Sequence, residues 1–447
     1  MMKPSLPKGT RDFLPEELAR RNYIFSTIAS TFERFGYQGI ETPAMENLSS
    51  LLGKYGDEGD KLLFKVLNNG DFLSKADEEA LTSRDSDNLA VSISKRGLRY
   101  DLTVPFARFV VMHQHELQLP FKRYQIQPVW RADRPQKGRY QEFYQCDADV
   151  LGSDALSYEA ELVQIYDQVF HALNLPVKIR INNRKILSGL AEVLGKEDQF
   201  VAMTVAIDKL DKIGWEGVEK ELEKAGFVSA DCEKLRELLD SKDLELLARA
   251  LAESRTGAKG IKEIAEVKEY LSGYTFHQDF EFDITLARGL SYYTGCIFEV
   301  VATEMEYGSL GGGGRYDDLT GIFGMSGNSG VGISFGADRI YDVMLQLDRF
   351  PHSLDQSLSI LFVALDEESH KYAFKAMTKI REAGIPADLY PEPAKMKKQM
   401  KYADSRNVPF VAIAGESERM EGNFAVKNME SGNQENLTIE EIIARLS

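Results

Sequence analysis

The chain has little cysteine. Its 447 residues hold three, Cys146, Cys232 and Cys296, with no C-x-x-C pair. That excludes a disulfide framework and fits a reducing compartment. Histidine is scarce too: of six, only His113 and His115 lie close together, with no partner Cys or His nearby. No dedicated metal site is expected. No apolar run approaches the roughly 20 residues that span a bilayer, and residues 1–11 lack the apolar stretch of a secretion signal. A cytoplasmic location is expected. Positive charge is also in deficit, with 54 Lys+Arg against 70 Asp+Glu and a net charge of −16. A wholesale basic surface for nucleic acid is excluded, but a local basic strip is not, because screening over roughly 10 Å makes nearby charge count more than the total.

Long polar low-complexity tracts are absent as well. With 43% hydrophobic and 10% aromatic residues, the chain can bury sizeable cores. At roughly 100–200 residues per domain it suggests two to four domains. Residues 14–35 read as a helix, with Leu14, Leu18, Phe25 and Ile28 on one face and Gly36 as the stop. Residues 53–97 are Asp-, Gly- and Ser-rich and read as a surface insertion, partly mobile over 76–89. Residues 124–130 and 140–150 read as two strands, joined by a loop carrying Pro135 and Gly138. After a strand at 177–181, residues 185–273 become almost purely helical. Strand texture returns at 280–284, 297–301 and 331–335. Beyond residues 351–356, strands and helices alternate to the end, the pattern of a small α/β domain.

The densest positive stretch is 121–141. Lys122, Arg123, Arg131, Arg134, Lys137 and Arg139 stand against one acid, Asp133, a net of +5 (6 − 1) in 21 residues. It reads as an anion site or a solvated hairpin. Arginine suits bidentate phosphate contact, and the interleaved Trp130, Tyr140, Phe143 and Tyr144 would allow a base to stack. The run Gly311-Gly312-Gly313-Gly314-Arg315 lacks the Gly-Lys-Ser/Thr ending of a P-loop and the G-x-G-x-x-G spacing of a dinucleotide site. A flexible turn and a backbone that approaches a ligand are equally open for it. Arg288 to Gly295 sets an arginine and two tyrosines among glycine turns, which reads as a pocket wall or as edge-strand packing. Adjacent tyrosines on a strand face opposite sides, so one of Tyr292 and Tyr293 is expected to line a given pocket. Arg339 falls in the first turn of a helix, where the dipole disfavours a cation, which hints at a bound anion. Asp101 with Thr103, and Gln145 with Asp149, have the even spacing that shares one face of an extended segment. They would suit a ligand with an ammonium and a ring N–H, or simply form salt bridges.

Taken together these motifs resemble the class II aminoacyl-tRNA synthetases, and within them the histidyl-tRNA synthetase family. The likeness runs nearly end to end. It comprises Lys8-Gly9-Thr10-Arg11-Asp12, Leu98-Arg99-Tyr100-Asp101-Leu102-Thr103, the arginine hairpin, residues 286–295, the glycine run with Arg315-Tyr316-Asp317, and the Arg339 helix. Any one is weak, but in this order they are highly specific. The 53–97 insert and Asp101 look more like the eukaryotic-type branch.

The resemblance implies an α+β catalytic domain with an antiparallel sheet over residues 1–184 and 274–350. It also implies a helical insertion at 185–273 and an α/β anticodon-binding domain at 356–447. Pro43 would mark a homodimer interface. Arg131 and Arg139 would hold the ATP phosphates with Phe143 under the adenine, and Arg339 would hold the nucleotide's far face. Asp101, Thr103, Arg131, Gln145, Asp149, Arg288, Tyr292 and Tyr293 would bind histidine. Arg134, Gln136 and Lys137 would meet the tRNA acceptor end, and Mg²⁺ would accompany ATP. Arg288 and Arg131 would be the catalytic pair. Ser291 stands where the family usually has Asp, Asp338 where it often has Glu, and Asp133 where Glu is common.

The expected reaction has two steps: histidyl-adenylate formation with release of pyrophosphate, then transfer to the tRNA 3′-hydroxyl. The alternative is a non-catalytic, regulatory paralogue, against which all four arginines and the α/β tail argue. A synthetase for threonine, proline or glycine is a further rival, against which the 288–295 signature argues. The helical insertion reads as a clamp on the tRNA acceptor arm or as a stabilising insert.

Overall fold

The computed structural model describes residues 3–53, 60–134, 136, 138–241, 243–287, 292–317, 319–355 and 358–447. Its internal contacts separate two units, Met1–Phe13 with Arg21–Arg349, and Leu14–Arg20 with Phe350–Ser447.

In the first unit the early strands are short: β1 (Gln38–Gly39), β2 (Met45–Asn47), β3 (Lys65–Val66) and β4 (Arg96–Leu98). The last three form a small sheet in the order β2-β4-β3. Seven longer strands follow: β5 (Phe121–Trp130), β6 (Glu142–Leu151), β7 (Val177–Asn183), β8 (Asp279–Phe282), β9 (Tyr293–Ala302), β10 (Gly311–Asp317) and β11 (Ser329–Gly336). With β1 they make an eight-stranded sheet, β1-β5-β6-β11-β10-β9-β7-β8. Every neighbouring pair is antiparallel except β1 with β5 and β7 with β8.

The two faces of this sheet differ in chemistry. On one, the Phe335 ring of β11 lies 5.8 Å from Phe32, 4.8 Å from Tyr166 and 5.6 Å from Phe170. Those rings come from the helices Pro15–Arg34 and Ser157–Ala172. Ile24, Ile28 and Phe32 recur every four residues, so they share a stripe that the sheet buries. The other face is polar at its centre. Arg123, Gln125 and Gln127 of β5 stand opposite Asp149, Asp147 and Gln145 of β6. Buried polar side chains need partners, so this face is a site waiting for ligand atoms or for its own network.

The glycine run is neither turn nor loop. It is β10, a central strand, and its bare backbone is a packing requirement. A Cβ on Gly313 would lie 2.1 Å from the Gly332 carbonyl oxygen. One on Gly311 would lie 2.8 Å from the Tyr166 ring, and one on Gly314 would lie 2.9 Å from the Tyr293 ring. The residue opposite Asp149, Gly332, leaves the space its carboxylate fills, since a Cβ there would lie 1.9 Å from Oδ1.

Between β7 and β8 the chain is helical, from Arg184–Leu194 through Arg255–Tyr270. Gly189 and Gly257 let the backbones of these two helices approach closely, a Cβ on Gly189 falling 2.5 Å from the Gly257 Cα. The 76–89 stretch, expected to be partly mobile, lies in two short helices, Glu78–Ser83 and Ser86–Ile93, each begun by an aspartate accepting backbone N–H bonds.

The second unit contains β12 (Ile360–Ala364), β13 (Ala387–Leu389), β14 (Phe410–Ala414), β15 (Phe424–Asn428) and β16 (Gln434–Leu437), in the order β13-β12-β14-β15-β16. The first three are parallel and the rest antiparallel. Helices Glu367–Glu382 and Met396–Ser405 connect the parallel strands. Phe362 and Phe424 meet edge to face at 5.2 Å in the core. The sequence reading missed β16 and the helix Glu416–Glu421.

Candidate functional site

Two cavities adjoin on the polar face of the large sheet. The larger, about 420 Å³, lies among Tyr100, Arg131, Arg139, Phe143, Ser309 and Arg339. The smaller, about 50 Å³, is walled by acids and tyrosines, including Asp101, Asp147, Asp149, Tyr292, Tyr293 and Tyr316. Arg131, Gln145, Gly312 and Ser334 belong to both.

Arginines give the larger cavity its charge. Arg131 donates from Nε to the Tyr100 carbonyl at 3.1 Å. Its guanidinium lies 4.3 Å from the Tyr100 ring centre and 5.1 Å from that of Phe143. That fixes the plane of its fork on the cavity wall. Arg339, in the first turn of helix Ala337–Gln346, donates to the carbonyls of Gly138 at 3.1 Å and Ser309 at 2.8 Å. Those carbonyl dipoles offset the unfavourable helix end. Gln136 and Arg139 form a two-residue bridge at the hairpin tip, where Arg134 and Gln136 are exposed.

An N-terminal strap buttresses this cavity. The Arg11 guanidinium stacks 3.6 Å over the Tyr140 ring and donates to the Tyr140 hydroxyl at 2.9 Å. It also donates to Asp338 at 2.6 Å. Arg21 donates to the same Asp338 oxygen, and the other oxygen accepts the Tyr144 N–H at 2.9 Å. The Tyr140 hydroxyl in turn donates to Asp342, and burial with that bond pushes its pKa up to about 12. Asp338 therefore ties residue 11 to the hairpin base beside Arg339.

In the smaller cavity, Asp149 accepts from Arg123 at 2.7 Å and from the Tyr316 hydroxyl at 2.9 Å. Burial pushes its carboxyl up, and those two partners pull it back. Burial pushes the Tyr293 and Tyr316 phenols up as well, so both stay protonated donors. Asp147 is raised to about 7, first by burial and then by its acidic neighbours. Gln145 donates to the Ser334 hydroxyl at 3.0 Å. The cavity thus offers several acceptors and few cations, which suits a small molecule rich in N–H donors.

Of the expected site residues, Asp101, Thr103, Arg131, Gln145, Asp149, Tyr292 and Tyr293 line the smaller cavity, and Arg131, Arg139, Phe143 and Arg339 line the larger. Arg288 and Lys137 lie outside the described residues, as do Ser291 and part of the 288–295 motif. Three expectations about geometry fail. Asp101 and Thr103 do not share an extended face, because Thr103 starts the helix Thr103–Met112 and Asp101 accepts the Val104 N–H at 3.1 Å. Both Tyr292 and Tyr293 reach one cavity, because β9 begins only at Tyr293. Two cations of the basic stretch are spent internally: Arg123 on Asp149, and Lys122 on Glu161 at 2.8 Å. Sequence reading passed over Asp147, Tyr316 and Ser334. Asp147 had a signal, since it falls midway between Gln145 and Asp149 on the same strand face.

Comparison with known proteins places the chain. Residues 9–74 and 82–340 match the family model described as histidyl-tRNA synthetase, and 359–447 match an anticodon binding domain. The chain is 55% identical to a histidine–tRNA ligase of Phocaeicola vulgatus, over 99% of this chain and 98% of that one. It is 56% identical to one of Porphyromonas gingivalis, over 98% and 97%. A crystal structure of histidyl-tRNA synthetase from Nostoc sp. PCC 7120 superposes with a TM-score of 0.85 at 30% identity, each chain covered in full. These relatives are bacterial, which gives no support to the expected eukaryotic-type branch.

Proposed function

Because the chain belongs to the histidyl-tRNA synthetase family, we propose that its larger cavity takes ATP, its smaller takes L-histidine, and histidyl-adenylate forms at the wall they share. The protein is an ATP-dependent ligase that charges tRNA with histidine, with the class II catalytic fold and a C-terminal anticodon-binding domain. One observation carries the assignment within the site: Arg131, Gln145, Gly312 and Ser334 line both cavities. A carboxylate in one and an α-phosphate in the other would meet there.

In this reading histidine's carboxylate attacks the α-phosphorus and pyrophosphate leaves. The tRNA 3′-hydroxyl then attacks the acyl carbon and AMP leaves. The protein does little covalent work, and its contribution is placement and charge. Arg131 and Arg288 would stabilise the phosphorane, while Arg139 and Arg339 hold the nucleotide and Phe143 stacks on the adenine. Asp101, Thr103, Gln145, Asp149 and the two tyrosines would accept and orient histidine. Mg²⁺ would arrive on the ATP phosphates as part of the substrate, and Asp133 puts a carboxylate on the wall of that cavity.

The catalytic domain would comprise 1–184 and 274–350, with 185–273 as a helical insertion and 356–447 reading the anticodon. Arg134, Gln136 and Lys137 at the hairpin tip would meet the acceptor end. Exposed Pro43 supports a homodimer interface, a cytoplasmic setting follows from the reaction, and the branch reading rests on the 53–97 insert and Asp101. Full-length relatives at about 55% identity favour the catalytic reading over a regulatory paralogue.

Histidine-dependent ATP–pyrophosphate exchange by the purified protein tests this. The expected result is exchange with histidine and none with threonine, proline or glycine. Abolished exchange in Arg288→Ala with an unchanged melting curve is expected for that residue's role, and near-normal exchange would refute it.

A further inference from the structure

Asp147 is a buried acid that the proposed reaction does not use. It is 2% exposed, lines the smaller cavity, and its Oδ1 has no hydrogen-bond partner among the described residues. The Ser334 hydroxyl, which accepts from Gln145, pulls the Asp147 carboxyl down without meeting Oδ1. Arg123 pairs with Asp149, and although its charge also pulls the Asp147 carboxyl down, it gives Oδ1 no hydrogen bond. A carboxylate left buried with one unmet oxygen is costly unless something supplies an N–H or O–H.

Its position says what that something is. Gln145, Asp147 and Asp149 follow one another on a single face of β6, roughly 7 Å apart. Gln145 also borders the larger cavity, whereas Asp147 and Asp149 border only the smaller. An amino acid whose carboxylate lies at the shared wall therefore points its side chain along β6 toward Asp147 and Asp149.

We propose that Asp147 is a specificity-determining residue of the smaller cavity, whose unpartnered oxygen accepts an N–H from the side chain of the bound amino acid. This rests on the assignment of that cavity to histidine. Asp149 alone can satisfy one ring N–H. With Asp147 as well, the wall presents two carboxylates to a ring that carries N–H donors, and an analogue without them leaves the Asp147 oxygen buried and unmet. Sites built to pair with a polar group reject analogues lacking it far more strongly than apolar pockets reject a size change.

The test is exchange kinetics on the full-length protein with L-histidine, and with β-(2-thienyl)-L-alanine as the probe without a ring N–H. For Asp147→Asn and Asp147→Ser, the expected result is a rise of about 10–100-fold in KM for histidine. KM for ATP should stay within twofold, and preference for histidine over the thienyl probe should narrow. A KM for histidine within twofold of the parent, or equal loss toward histidine, ATP and the probe, would overturn the proposal. If the unaltered protein shows no histidine-dependent exchange, the assignment of the cavity falls, and the proposal with it. If the unaltered protein exchanges normally and both variants do too, only the role of Asp147 falls.

Discussion

Arg123 meets Asp149 at 2.7 Å, with 0% and 4% of their side chains exposed. Together with the Tyr316 hydroxyl, the pair offsets the burial that pushes the Asp149 carboxyl up. Removing the cation alone leaves an uncompensated buried carboxylate, a loss of about 3–5 kcal/mol. Arg123→Met should therefore bring the first transition in urea unfolding to lower denaturant. The double variant Arg123→Met with Asp149→Leu should lose less than the single one, because nothing charged is left buried. Equal losses would show that packing, not charge, sets the cost.

Gly313→Ala should destabilise the catalytic unit more than Gly312→Ala. At 313 the new methyl meets backbone at 2.1 Å, which cannot swing aside; at 312 its nearest neighbour is the Phe298 carbonyl oxygen at 3.3 Å. Overpacking of this kind costs typically about 1–3 kcal/mol, and more when backbone must move. Melting curves of the two variants give the comparison. Gly312→Ala should instead affect ligand binding, since that residue borders both cavities.

The Asp147 carboxyl sits at about 7 in the folded protein, against an ordinary 3.8. A raised carboxyl binds a proton that the unfolded chain has given up. Its contribution to stability is full below about 3.8 and is lost as pH rises through about 7. Asp147→Asn carries no such dependence. Relative to the parent, the variant should gain stability between pH 4 and pH 8, by an amount on the order of a few kcal/mol. Unfolding midpoints measured across that range check it; a parallel pair of curves would contradict it.

Arg339→Ala should raise KM for ATP by about 10–100-fold, the usual range for losing a charged hydrogen bond. KM for histidine should stay within twofold, because Arg339 borders only the larger cavity. Arg339→Lys should fall short of recovery, since lysine cannot span two carbonyls and still present a planar fork. Exchange assays with each substrate varied separately read this split.

Much of the scaffold was legible because it follows from periodicity. The helix at 15–34 and the strands β5, β6 and β14 repeat apolar positions that local sequence alone displays. The glycine strand was not legible. Four residues without side chains carry no alternation, and the reasons for them, the Tyr166 and Tyr293 rings and the Gly332 carbonyl, lie far off in the chain. The charge of 121–141 likewise overstates the free cation, since Asp149, which neutralises Arg123, faces it only across the β5–β6 pairing. Asp101 kept its place in the site for a different reason from the one that singled it out. The even spacing with Thr103 implies an extended segment, whereas Thr103 begins a helix and Asp101 accepts the N–H of its second residue, Val104.

Because four residues serve both cavities, neither ligand can settle without restraining part of the other's surroundings. Whatever ATP does to the affinity for histidine, histidine must do to the affinity for ATP by the same factor. The two substrates need no fixed order of arrival to arrive in concert.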